Sequence, residues 1–117
     1  MKYLNWLMLL VTATLLTACG TPKTIYSWGR YEQLVYTMYA KPDKATPELQ
    51  VTQLEEDFQK ARAKNKPVPP GFQAHLGYLY VQLGKSDQAR QAFETEKVNF
   101  PESAVFMDRL LANLNKP

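Results

Sequence analysis

From residue 27 onward, apolar residues recur three and four positions apart, between short clusters rich in proline, glycine and lysine. That period marks helices with one buried stripe, and the clusters mark their ends. Trp28, Tyr31, Val35 and Tyr39 predict a helix over about 28–39, with Ser27 as its cap. Lys41-Pro42-Asp43-Lys44-Ala45 breaks it. Thr46-Pro47-Glu48 reads as the next start, a capping hydroxyl followed by proline at the first helical position. This helix extends to about Ala63, with Leu54, Phe58 and Ala61 on one stripe. Lys60, Arg62, Lys64 and Lys66 suit the negative end of its dipole. Pro67-Val68-Pro69-Pro70-Gly71 stops it. A third helix is predicted over about Phe72 to Leu83, Gly84-Lys85 turns the chain, and a fourth spans about Ser86 to Asn99. Pro101 ends the fourth, and a fifth covers about Ser103 to Asn115. No stretch alternates as a strand would, so the domain reads as all-α.

The N-terminal block has another character. Lys2 supplies one positive charge, and Tyr3 to Leu16 is a mostly apolar run of 14 residues interrupted by Asn5. A span of the hydrocarbon core needs about 20 residues. The run has the length of a secretory signal's apolar region. It ends in Leu16-Thr17-Ala18-Cys19, which resembles a bacterial lipobox. The resemblance implies that the Cys19 thiol takes a diacylglycerol, that residues 1–18 are removed, and that the new amino group is acylated. No cofactor is expected beyond that covalent lipid. Gly20, where an inner-membrane retention signal has Asp, resembles the pattern sent to the outer membrane, here its periplasmic face. Residues 19–26 would be the lipidated cysteine and a short linker, and 27–117 the helical domain.

Composition narrows the chemistry. Removing residues 1–18 from 117 leaves 99, enough for one small core. The remaining chain carries 13 basic and 11 acidic residues. That balance is not the clustered basic footprint of a nucleic-acid binder. Cys19 is the only cysteine and His75 the only histidine, so a zinc site or a thiol nucleophile has few residues to draw on. His75 is expected to face solvent or a helix crossing. Glu55, Glu56 and Asp57 are consecutive and splay around a helix; with Glu94 and Glu96 they read as solvated faces. Ser27, Ser86 and Ser103 read as helix caps. There is no phosphate-cradling loop and no serine nucleophile motif. An enzyme is not the expected reading.

Leu76-Gly77, Tyr80, Gly84, Ala89, Phe93 and Pro101 resemble a tetratricopeptide repeat, the 34-residue helix–turn–helix unit. Small Gly77 and Ala89 would let the paired helices approach, Tyr80 and Phe93 would fill the space beside them, Gly84 would turn and Pro101 would close. Gln73 departs, standing where the repeat often has Trp, and Glu96 departs where it often has Ala. Leu110, Leu111 and Leu114 continue the register as a capping helix. Trp28, Tyr31 and Val35 with Leu54, Phe58 and Ala61 resemble an earlier, divergent repeat. The implied architecture is a short right-handed solenoid of two helical hairpins plus a cap. Such repeats hold partner segments on the concave face of their first helices. By register that face takes Gln33 and Tyr36, then Tyr78, Val81 and Gln82, then Asp108 and Ala112.

The whole chain also resembles a family of small bacterial lipoproteins of unknown function with a tetratricopeptide-like domain. The lipobox, Trp28-Gly29-Arg30-Tyr31, the region Pro70 to Leu83 and Phe100-Pro101 carry that resemblance. It implies an envelope complex, since members tend to be encoded beside a lipoprotein related to the curli-secretion subunit CsgG. The expected function is a membrane-anchored scaffold or assembly factor whose partners are other envelope lipoproteins or secretion-complex subunits. No nucleic acid or small-molecule substrate is expected. The alternative is a periplasmic peptidoglycan- or glycan-binding module using Trp28, Tyr31 and Tyr36.

Overall fold

A computed structural model describes residues 1–16, 20 and 23–116. Thr17, Ala18 and Cys19 of the lipobox-like segment lie outside the described residues. Six α-helices follow in order: α1 (Lys2–Leu16), α2 (Tyr31–Ala40), α3 (Pro47–Ala63), α4 (Phe72–Gln82), α5 (Ser86–Asn99) and α6 (Ala104–Leu114). Short 3₁₀ turns at Pro42–Lys44 and Pro101–Ser103 precede α3 and α6. No strand occurs among the described residues, so the all-α reading holds. Helix α1 has 15 residues, about 22 Å at 1.5 Å per residue. No helix among the described residues is long and apolar enough to cross a membrane.

Local chemistry explains most boundaries. Thr46 caps α3 by accepting from the Leu49 N–H at 3.4 Å, with Pro47 in the first turn. Helix α4 ends in a Schellman arrangement: Lys85 N–H donates to Tyr80 O (2.8 Å) and Gly84 N–H to Val81 O (3.0 Å). Gly84 adopts φ +70°, the left-handed conformation this ending needs. The same pair of bonds ends α3, with Asn65 in the glycine's place at φ +50°.

The serine caps do not form. Ser27 lies four residues before Tyr31, the first residue of α2, and its backbone N–H donates to Pro67 O at 2.7 Å. Ser86 is already the first residue of α5. Ser103 precedes α6, but its hydroxyl turns back to Phe100 O at 2.7 Å.

Helix α4 sits at the centre, with close packing running from α3 to α4, α4 to α5 and α5 to α6. Phe72 and Leu79 of α4, Leu54 of α3, Phe93 of α5 and Met107 of α6 are almost fully buried. The expected stripes of α3 and α4 are inward. The α2 stripe is rotated: Leu34 is its buried residue, Val35 is half-buried and Tyr39 is exposed. A helix holding one short patch against the core needs little more than Leu34 and Tyr31, and the rest of its apolar surface is left outside.

Two expected solvated acids are instead interior. Glu96 is 2 % exposed and lies at the N-terminus of α4. Its Oε1 accepts from Gly71 N–H (2.6 Å), and its Oε2 from Gln73 N–H (3.2 Å) and Ala74 N–H (3.3 Å). These are the donors a helix start leaves without intrahelical partners, and a carboxylate is the group the dipole favours there. Gln73 and Glu96, the two departures from the expected pattern, meet here, Gln73 through its backbone N–H. Asp57 is the other buried acid, and its partner comes from the segment before α2. Glu94 remains exposed, as expected.

Candidate functional site

The turn Trp28-Gly29-Arg30, leading into Tyr31, clasps α3. Gly29 adopts φ +51°, and a Cβ there would stand 2.5 Å from Asp57 Oδ2. Only glycine lets the backbone lie that close. The Arg30 N–H then donates to Asp57 Oδ2 (2.7 Å), and its guanidinium reaches Asp57 Oδ1 (2.7 Å), Glu56 Oε2 (3.0 Å) and Gln53 O (2.9 Å). Burial alone would raise the Asp57 carboxyl. The bonds from the Arg30 side chain and backbone overcome that and hold it below the usual carboxylate range. Glu55 takes the Tyr80 hydroxyl, whose own ionisation is pushed up by burial and by that carboxylate.

Beside the clasp, Trp28, Tyr31, His75 and Tyr78 form a continuous run of rings. Trp28 stacks on Tyr31 with ring centres 6.3 Å apart, and Tyr31 meets His75 edge-on at 5.9 Å. His75 leans on Tyr78 at 6.3 Å. Tyr31 also tilts against the buried Phe72 at 5.6 Å, which ties the run to the core. His75 stands at a helix crossing, one of the two places expected for it. Its Nε2 is 2.9 Å from Gln50 Oε1, and Gln50 Nε2 donates to Ala45 O at 2.8 Å. Burial holds the imidazole's pKa below its ordinary value.

The run opens into a cleft of about 440 Å³ between the C-terminal ends of α2 and α4 and the start of α3. Met38, Tyr39, Asp43, Gln50, Tyr78 and Gln82 are among the residues lining it. Tyr39 is 78 % exposed and Tyr78 46 %. Gln82 Nε2 donates to the Tyr78 hydroxyl at 2.9 Å, which sets the orientation of that ring. Two tyrosines thus present large apolar faces to solvent, with a hydroxyl and an amide at the rim.

Of the expected partner-binding residues, Tyr78 and Gln82 come together here. Val81, Tyr36 and Gln33 are exposed but do not line this cleft. Asp108 is exposed on α6 and pairs with Lys97 Nζ at 2.5 Å, which raises the lysine's pKa. Met38 and Tyr39 are the cleft residues that periodicity missed, because Tyr39 fits a core stripe by spacing. Its signal was position: a tyrosine two residues before a Lys-Pro break has little core left to face. A second, larger groove of about 640 Å³ runs between α3 and α5 over Gln73, Leu76 and Tyr80. Among the described residues no group of three or more His, Cys, Asp or Glu could hold a metal ion.

Residues 25–110 match the protein family described as Domain of unknown function (DUF4810). The matched span begins at the turn before the clasp and ends in α6, so it covers the clasp, the ring run and the cleft. No curated protein and no solved structure matches the chain.

Proposed function

We propose that this chain, which belongs to the DUF4810 family, is a lipid-anchored interaction module that holds a partner protein in the Tyr39–Tyr78–Gln82 cleft. The observation that carries the reading is the exposure of two tyrosines towards the ends of α2 and α4, one of them hydrogen-bonded by Gln82. Tyrosine supplies wide amphipathic contact at low entropic cost, and such residues dominate interface energetics. The helix order α2 to α6 and the register around Gly77 and Phe93 support a short tetratricopeptide-like solenoid as the scaffold. The proposed anchor is Cys19, through the lipobox-like Leu16-Thr17-Ala18-Cys19, whose leucine is the last residue of α1. The proposed setting is the periplasmic face of the outer membrane, with envelope lipoproteins or secretion-complex subunits of the CsgG type as partners. A glycan surface through Trp28, Tyr31 and Tyr36 has less support. Trp28 and Tyr31 are half-buried in the ring run, and no ring contact joins Tyr36 to them among the described residues.

Two experiments test this reading. Serine cannot supply the thiolate for a thioether, so Cys19→Ser abolishes incorporation of a palmitate analogue; equal labelling of both proteins refutes the anchor. Tyr78→Ala with Gln82→Ala weakens partner recovery from detergent extracts by about thirtyfold in affinity, the usual loss when an interface anchor goes. Glu94→Ala is the matched control on an exposed face, and circular dichroism confirms folding. Full recovery with the cleft variant, and loss with the control, places the interface elsewhere.

A further inference from the structure

The linker between the lipobox and α2 is not a free tether over its whole length. Thr24 Oγ1 donates to Tyr26 O (2.9 Å) and lies 3.4 Å from Lys66 Nζ, which donates to it. The Tyr26 ring meets Phe100 edge-on at 6.1 Å, and the Ser27 N–H is held by Pro67 O. The chain is therefore docked from Thr24 onward, on the turn after α3 and the turn after α5. Covalent reach from Cys19 is then five residue steps to Thr24, at most about 18 Å at roughly 3.5 Å each.

Those two turns lie at one end of the helices. The C-termini of α3 and α5 and the N-termini of α2 and α4 share it, through Lys66, Phe100, Arg30 and Gly71. The cleft lies at the other end, where α2 and α4 finish and α3 begins. Helix α3, with 17 residues, separates the two by about 25 Å. The docked end is basic and apolar on its outside: Lys23 and Lys64 are exposed, Lys66 is half-exposed and Ile25 is 73 % exposed. Of the acids at this end, Glu96 is committed to the α4 backbone and Glu56 and Asp57 to Arg30, while Glu102 on the turn after α5 and Glu32 in the first turn of α2 are exposed and lie on elements other than the lysine-bearing linker and the turn after α3. Lysines beside a short tether are positioned for anionic headgroups, and an exposed isoleucine for the interfacial layer.

We infer that this end of the domain is a second membrane-contact surface, on which Lys23, Lys64 and Lys66 meet the phosphates of anionic lipid and Ile25 enters the interface, so that the cleft faces away from the bilayer. The inference rests on the Cys19 anchor proposed above, and it names an orientation that the anchor alone does not dictate. A lipid tether of free chain would leave the domain tumbling; the docked linker and the basic end together turn it.

The test uses the full lipidated chain, reconstituted into vesicles of phosphatidylethanolamine with phosphatidylglycerol and into vesicles of phosphatidylcholine alone. A membrane-impermeant amine-reactive ester is applied, and each lysine's modification is compared with that in detergent. In the anionic vesicles Lys23, Lys64 and Lys66 are modified about fivefold less than Lys41, Lys44 and Lys85, which lie towards the cleft end. In phosphatidylcholine the difference shrinks. Lys64→Glu with Lys66→Glu still floats with vesicles but loses the protection of Lys23, while Lys41→Glu with Lys44→Glu keeps it. Equal modification at both ends of a vesicle-bound chain overturns the inference and leaves the anchor standing. A wild-type chain that does not float with vesicles overturns the anchor, and this orientation with it.

Discussion

Phe93→Ala lowers the stability of the domain by about 3–5 kcal/mol, the usual range for deleting a buried phenylalanine from a packed site. Phe93 is 1 % exposed, and its ring lies where a Cβ on Gly77 would come within 2.5 Å of it. The crossing of α4 and α5 is therefore filled by that ring on one side and left free of any side chain on the other. Gly77→Leu meets the opposite failure, since the added atoms have no space unless Phe93 or the helix pair moves. A domain of this size holds roughly 5–15 kcal/mol, so either change approaches unfolding. Each kcal/mol is worth about 4–8 °C in a domain of 60–100 residues, so Phe93→Ala melts about 12 °C or more below the wild type and Gly77→Leu about 4 °C or more below it. Thermal unfolding followed by circular dichroism checks this. A melting temperature unchanged in both variants would mean that Gly77 and Phe93 do not face each other.

Gly77, Tyr80, Gly84, Ala89 and Phe93 carry their roles in their size and spacing, and local chemistry needs no knowledge of distant contacts. The same holds for Thr46-Pro47 and for the Pro-rich break after α3, where cap and breaker act within a few residues. The reading failed where a residue's partner lies far along the chain. Asp57 sits among acids on a helix that looks solvated, and its partner Arg30 is 27 positions earlier. Glu96 reads as one more surface carboxylate, and its three donors are more than 20 positions away. Nothing in a helical period distinguishes an outward glutamate from one that reaches a neighbouring helix start.

The clasp shows the same limit from the other side. Trp28 and Tyr31 fit a helical stripe with Val35 and Tyr39, so periodicity starts the helix at 28. Gly29 at φ +51° stops it from starting there, and α2 begins at Tyr31. The stripe that results is only half real: Tyr31 and Leu34 turn inward and Tyr39 turns out to the cleft. Of the candidate site, Tyr78 and Gln82 were legible because α4 has a well-marked core stripe and they fall off it. Tyr39 and Met38 were not, because the α2 stripe is too short to define its own opposite face.

Glu96→Ala is expected to cost about 2–4 kcal/mol, and Glu94→Ala, two positions away, within about 0.5 kcal/mol. The two residues share a helix, a charge and a local sequence, so the contrast isolates what Glu96 touches. Removing its carboxylate leaves the N–H groups of Gly71, Gln73 and Ala74 without their acceptor at once. Gln73 is 4 % exposed, so water replaces the lost bond poorly there. The favourable placement of a negative charge at the N-terminus of α4 is lost as well. Glu96→Gln separates these contributions, because its amide oxygen still accepts while its charge is gone. Its loss is expected to fall between the other two, at about 1–2 kcal/mol. Chemical denaturation of the three variants orders them Glu94→Ala, Glu96→Gln, Glu96→Ala by increasing loss. If Glu96→Ala matched Glu94→Ala, the α4 start would be satisfied by solvent, and the carboxylate would have no structural part in joining α5 to α4. The expected order instead makes Glu96 the bond that sets where α4 begins, and through Phe72 and His75 in its first turns it sets the ring run that leads to the cleft.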